Sequence, residues 1–254
     1  MRMIPELTVK VCAGECASEN EIDFVMAFQP LVDLAQKRIY GYEALVRGPN
    51  GESAMSIISQ VTQDKLYAFD QACRVKAIKA AATLGLDRRL SINFLPNAVY
   101  HPQSCLKLTL GAALEFNFPP TAITFEFTEN EKVMNKDHLK SIVDTYKKFG
   151  FLTALDDFGA GYAGLSLLAE FQPDIIKIDR LLVADLHHSR QKQAIVTGVL
   201  STARSLGIDI VAEGVETKEE LAALREMGVS KFQGFLFAVP RINALYRDDE
   251  IDWG

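Results

Sequence analysis

The sequence is poor in the features that mark several protein classes. No apolar run approaches the ~20 residues that cross a bilayer, and the first 20 residues hold no apolar segment of the signal-peptide kind. Neither a membrane span nor an export leader is predicted. Cysteine is scarce, with four in 254 residues. That excludes a disulfide-dense scaffold and predicts free thiols in a reducing cytoplasm. Cys12 and Cys16 are the one close pair, no histidine lies near them, and their spacing assigns them no role. Basic runs are also lacking. Lys and Arg total 27 against 33 Asp and Glu, a net charge of −6. This is the wrong sign for gripping a DNA or RNA polymer by its phosphates. A small phosphorylated ligand stays open if metal ions meet its charge. The remaining composition, 48% apolar and 24% charged, is that of a globular protein, and the length suits one α/β barrel or two small domains.

Residues 1–22 read as an N-terminal extension and 23–254 as one continuous domain. Phe24 to Leu34 and Arg38 to Val46 are apolar runs joined by Ala35-Gln36-Lys37. So short a connection joins antiparallel strands only. After Gly48, strand-like runs alternate with helical stretches. The strands are Leu90 to Phe94, Ala122 to Phe127, Phe151 to Leu155, Asp174 to Ile178, Ile208 to Ala212 and Lys231 to Phe235. Leu139, Ile142, Val143 and Tyr146 make one helical stripe before Gly150, and Ile195, Val199, Ala203 and Leu206 make another before Gly207. Thr217 with Glu220 forms a capping box. Strands separated by helices pair in parallel through right-handed crossovers. Six of them plus the hairpin predict a (β/α)8 TIM-type barrel whose first strand runs antiparallel to the rest. An open doubly wound sheet is the alternative, though no Gly-x-Gly-x-x-Gly turn follows the first strand.

In such a barrel, chemistry sits at the carboxyl ends of the strands. Read strand by strand, those ends carry Glu43, Asn93, Glu126, Asp156 with Asp157, Lys177 with Asp179, Glu213 with Glu216, and Gln233. The recurrence, about 32 residues, is one βα unit. Any single acid here serves equally as a helix cap, but the set converges on one mouth. Clustered carboxylates repel, and burying them unpaired is costly. They must take up protons or hold cations. Carboxylates with one amide, and no His or Cys, suit Mg²⁺ or Mn²⁺ rather than Zn²⁺. The adjacent acids Asp156 and Asp157 predict two ions, a pair that at roughly 3.5–4 Å apart clamps a phosphoryl displacement. Lys177 reads either as a structural ion-pair partner or as a donor to developing charge. The four histidines, His101, His138, His187 and His188, read as surface residues. From residue types alone, a metal-assisted carbon-acid enzyme with Lys177 as base stays open.

Tyr42-Glu43-Ala44-Leu45-Val46-Arg47-Gly48 resembles the signature of the EAL-domain cyclic-di-GMP phosphodiesterases. The likeness runs from about residue 24 to 240 through Phe28-Gln29-Pro30, Glu126-Phe127-Thr128-Glu129, Asp156-Asp157-Phe158-Gly159-Ala160-Gly161-Tyr162, Lys177-Ile178-Asp179, Ala212-Glu213-Gly214-Val215-Glu216 and Gln233-Gly234-Phe235. The resemblance implies hydrolysis of one phosphodiester bond of cyclic di-GMP to linear pGpG by a homodimer; the cysteine usage already predicts the cytoplasm, and a regulatory partner stays open and unidentified. It implies that Glu43, Asn93, Glu126 and Asp156 hold one metal, and that Asp156, Asp157 and Glu213 hold or adjoin a second. Glu213 is alternatively the general base. It implies that Lys177 holds the attacking water, that Gln29, Arg47, Asp179 and Gln233 contact substrate or ordered water, and that Glu216 supports the water network. Glu129 would brace the loop after Asp157 against a dimer contact.

The chain departs from the family pattern at Leu95, where a Ser is usual, at Ala160 and Gly164 in the loop after the acid pair, and at Val239, where a basic residue usually precedes the proline. None of these removes a metal ligand. Loss of such ligands marks the alternative, a non-catalytic module that binds the dinucleotide or a protein.

Overall fold

The computed structural model describes residues 22–96, 99, 102–128, 136–161 and 164–253. Glu129, Cys12, Cys16 and His101 lie outside them. The opening hairpin pairs β1 (Val25–Asp33) with β2 (Arg38–Arg47), antiparallel, with Lys37 in the left-handed region at φ 48°. β3 (Arg89–Asn93), β4 (Ile123–Thr128), β5 (Leu152–Phe158), β6 (Ile175–Ile178), β7 (Asp209–Ala212) and β8 (Lys231–Phe232) then pair in parallel order from β2. β8 returns antiparallel to β1, so the eight strands close on themselves, and the first strand runs against the others as predicted. A short β9 (Arg241–Ile242) adds to β1 beside that seam.

The predicted run Lys231 to Phe235 is strand for two residues only. After Phe232 the chain turns inward, Gln233 N donating to Ala212 O and Val215 N to Gln233 O, and Gly234 lies so close to Val215 that no Cβ fits. The helices are α1 (Ala54–Ile58), α2 (Leu66–Thr83), α3 (Pro102–Glu115), α4 (Lys136–Lys148), α5 (Gly164–Glu170), α6 (Arg180–Val183), α7 (Arg190–Leu206) and α8 (Lys218–Glu226). The α4 stripe is buried as predicted. On α7 the buried face is Val196, Val199, Leu200 and Ala203, so Val199 and Ala203 of the predicted stripe are in the core while Ile195 and Leu206 are exposed. Gly207 caps α7 at φ 70°, and both halves of the Thr217–Glu220 capping box are formed on α8. Cys73 and Cys105 are free and buried. Among the described residues no helix is long and apolar enough to cross a membrane. His138 and His187 are half-buried rather than on the surface: His138 Nε2 meets Val99 O, and the His187 ring lies against His188.

Strand periodicity sorts the side chains. Phe125 and Phe127 of β4 face outward, against Tyr146 and Phe171, while Thr124 and Glu126 are buried between them on the other face. Within the barrel, Leu31, Ala154, Ile175 and Val211 pack into one apolar layer with Tyr40 and Leu152.

One buried charge pair ties the helical layer to the barrel. Arg74 of α2 is 0% exposed, and its Nη2 meets Asp70 Oδ2 at 2.5 Å. Arg74 Nη1 donates to Tyr146 Oη at 2.9 Å, and the guanidinium lies over Phe94 and Phe125, 5.3 Å from each ring centre. Asp70 Oδ1 accepts from Leu95 N at 3.0 Å, fixing the chain just past Asn93. Removing one partner of such a pair strands the other in low dielectric. Asp70→Ala is expected to lower unfolding free energy by about 3–5 kcal/mol, read from the midpoint of a urea titration at unchanged slope.

Candidate active site

The apolar layer inside the barrel locates the site. One pleat above Leu31, Ala154, Ile175 and Val211 stand Gln29, Asp156, Lys177 and Glu213, pointing to the same interior. Glu43 lies opposite Gln29 across the hairpin, and Asn93 opposite Glu126. Two neighbours on a strand ordinarily face opposite ways. At Asp156-Asp157 the β5–β6 register slips, and Asp157 takes a left-handed φ of 53°, which Asp tolerates better than most residues. The bulge brings both carboxylates to one side, with Asp157 N donating to Asp156 Oδ1 at 3.0 Å.

Lys177 is the hub. It is 1% exposed, and its ammonium meets Glu126 at 2.6 Å, Glu213 at 2.6 Å, Glu43 at 3.2 Å and Asp156 at 3.2 Å. An ammonium has three protons to donate, so four acids share them. Burial alone would push the Lys177 pKa down. Asp156, Glu126, Glu213 and Glu43 together overcome it and hold the group charged, well above its ordinary value. One positive charge does not neutralise four carboxylates. Burial lifts the Glu126 carboxyl to about 8, with Lys177 pulling it back and Glu43 and Asp156 adding to the rise. Burial, and then Asp156, hold Glu213 well above the carboxylate range. Burial, with Asp156 and Asp179, lifts Asp157 to about 6.

Amides complete the floor. Asn93 Nδ2 donates to Glu43 Oε1 at 2.8 Å. Gln233 Nε2 donates to Glu43 Oε2 at 2.8 Å and to Gln29 Oε1 at 3.1 Å, and Gln29 Nε2 donates to Ala238 O at 3.2 Å. Above lies a cleft of about 320 Å³ walled by Gln29, Glu43, Asp156, Asp157, Glu213 and Gln233 and rimmed by Asp179, Arg180, Glu216 and Phe235. Asp179 also caps α6, accepting from Leu181 N at 2.8 Å. Glu216 is exposed and pairs with Arg180 at 2.7 Å. Arg47 is outside the cleft lining, its Nη1 donating to Val46 O at 2.7 Å. Two rim residues escaped the sequence reading. Arg180 directly follows the Lys177-Ile178-Asp179 motif, and Phe235, 61% exposed, closes Gln233-Gly234-Phe235.

The oxygens fall into two sets, Glu43 with Glu126 and Asp156, and Asp156 with Asp157 and Glu213. Within each, one oxygen per residue lies within 4.8 Å of the others. The sets share Asp156. An all-oxygen, strongly acidic donor group fits hard divalent cations, and the unmet negative charge gives such a cation reason to bind.

Comparison with known proteins agrees with this geometry. The blue light- and temperature-regulated antirepressor BluF of Escherichia coli is 34% identical over 91% of the chain. The cyclic di-GMP phosphodiesterase RocR of Pseudomonas aeruginosa is 31% identical over 86%. The chain spans 57% of the length of each of these two relatives. The crystal structure of a standalone versatile EAL protein from Vibrio cholerae O395, in a form with c-di-GMP bound, superposes with a TM-score of 0.88 at 50% identity, covering 91% of this chain and 97% of that one. The EAL domain family matches residues 16–240, the stretch that holds the whole barrel and every acid of the cleft, and the chain belongs to that family.

Proposed function

We propose that this chain hydrolyses one phosphodiester bond of cyclic di-GMP, releasing linear pGpG, with two Mg²⁺ or Mn²⁺ ions. The observation that carries the reading is the pair of carboxylate sets sharing Asp156, with Lys177 held among them. In this reading Glu43, Asn93, Glu126 and Asp156 hold one ion, and Asp156, Asp157 and Glu213 the other. Bound there, the metals supply Lewis acidity at the phosphate and a water more easily deprotonated.

The chain's own groups do the rest. Lys177 Nζ is held among four acids and, once bound cations take over part of that carboxylate charge, has a proton to donate to the attacking water and to charge developing on the phosphate oxygens. Glu213, in the cleft wall beside Asp156 and Asp157, is either the second ion's ligand or, ionised, the general base that takes that water's proton. Gln29, Gln233 and Asp179 offer hydrogen-bonding edges in the cleft wall, and Arg47 reaches a phosphate oxygen by leaving Val46 O. Glu216 supports the water network from the rim. The same reading carries a homodimer, supported by Leu165 on α5 and Leu181 on α6, both exposed on the helices that follow the acid pair and Lys177. The relative named as an antirepressor favours a second reading, a module that binds cyclic di-GMP or a protein without cleaving anything.

The deciding assay incubates the protein with cyclic di-GMP and separates the nucleotides. Linear pGpG is expected with Mg²⁺ or Mn²⁺ and none after exhaustive EDTA treatment. Turnover undiminished by EDTA would overturn the metal-dependent mechanism, and binding without cleavage would favour the second reading.

Two substitutions separate the roles inside the cluster. Glu43→Ala is expected to lose activity chiefly through lost metal, so high Mn²⁺ recovers part of it. Lys177→Ala is expected to retain metal and lose about 10²–10³-fold in kcat, the worth of a positioned donor. Metal content by mass spectrometry, run beside turnover, distinguishes them. A Lys177→Ala protein that holds no metal would refute the donor assignment.

A further inference from the structure

The turn after β7, where Glu213 leaves the barrel, takes its shape from the neighbouring unit. Glu213 N donates back to Ile178 O at 2.9 Å, which anchors the near side of the turn to the end of β6. The far side is held by Arg180, the first residue of α6. Its aliphatic stem crosses Gly214, a position at φ +62° where a Cβ would lie 2.7 Å from Arg180 Cβ. Glycine there permits both the left-handed turn and the close approach. Beyond it the guanidinium forks. Nη1 donates to the Gly214 carbonyl, and Nη2 donates to Glu216 Oε2 at 2.7 Å. Glu220 Oε2 stands 3.8 Å from Nη1 and accepts from the backbone N–H of Glu216 at 2.9 Å and of Thr217 at 3.2 Å. Every residue of the turn from 213 to 217, Val215 included through Gln233 O, is thereby tied to something outside itself.

We propose that Arg180 is a positioning residue for Glu213. By holding the Gly214 carbonyl and the Glu216 carboxylate at once, it keeps the Glu213 carboxylate 2.6 Å from Lys177 and within the set formed with Asp156 and Asp157. The role needs a planar fork that serves two acceptors in fixed directions; a lysine head serves them only as a point charge. Its kinetic consequence rests on the phosphodiesterase reading above, while its structural consequence does not.

The test compares Arg180→Ala, Arg180→Lys, Glu216→Gln and the double variant Arg180→Ala/Glu216→Gln with the unaltered chain. Three readouts are taken: amide hydrogen exchange of residues 213–217 in metal-free protein, Mn²⁺ binding by calorimetry, and kcat and KM on cyclic di-GMP. Arg180→Ala is expected to speed exchange in that turn, weaken Mn²⁺ binding about tenfold and lower kcat about 10–100-fold, the usual effect of losing a group that orients a ligand, with KM nearly unchanged. Arg180→Lys should fall between. Glu216→Gln should move all three in the same direction, and the double variant should be no worse than Arg180→Ala. Unchanged exchange and Mn²⁺ affinity in Arg180→Ala would overturn the proposal, whatever happens to thermal stability. A rise in KM alone would overturn it too, making Arg180 a substrate contact. If the unaltered chain fails to cleave cyclic di-GMP while Arg180→Ala still loosens the turn and weakens Mn²⁺ binding, the phosphodiesterase reading falls and the positioning role stands.

Discussion

A single ammonium enclosed by four carboxylates governs the interior of this barrel. Lys177 cannot be solvated where it sits, so its charge persists only because Glu43, Glu126, Asp156 and Glu213 surround it. The acids in turn tolerate one another only because the ammonium stands between them, and even so the balance remains negative. Protons on Glu126 and Glu213 or added cations must supply the difference. A barrel filled with apolar side chains would face no such demand. The cluster is the arrangement of a protein built to receive positive charge.

Two devices of backbone geometry place these groups. The first is the pleat. With Leu31, Ala154, Ile175 and Val211 filling the interior below, the next inward position on each strand is the functional one, and it is dry on one side and open on the other. The second is the slip at Asp156-Asp157, which breaks the alternation at the one place where consecutive side chains must share a face. The buried Asp70–Arg74 pair acts further out, bracing the chain after Asn93 from α2.

Much of this was legible from residue types and spacing. The hairpin, the parallel strands and one polar residue per βα unit follow from periodicity that the folded chain obeys. The misses have physical causes. The helix α2 left no stripe to read because its buried face carries Asp70, Gln71 and Arg74 among apolar residues. The α7 stripe was right at Val199 and Ala203 and missed at its ends, because Ile195 and Leu206 are apolar yet exposed and Val196 and Leu200 complete the buried face. Strand β8 stops early because Gly234 must pass against Val215, a contact between residues far closer in space than in sequence. Arg180 was invisible for a related reason: its acceptors, Gly214 and Glu216, lie on the next βα unit.

The reversed first strand bears on how the chain reaches this state. Because β1 runs against the others, it pairs at once with β2 through a tight turn, so the N-terminal hairpin forms from local contacts. Its other edge waits for β8 and β9, and the Gln29 amide for Ala238, 209 residues further on. Contacts of such separation are slow to form, and an unpaired strand edge invites association with other chains meanwhile. The bond between Glu43 and Gln233 belongs to the same late step. A nascent chain halted before residue 231 already carries every acid of the cleft, yet has no closed wall to hold them together.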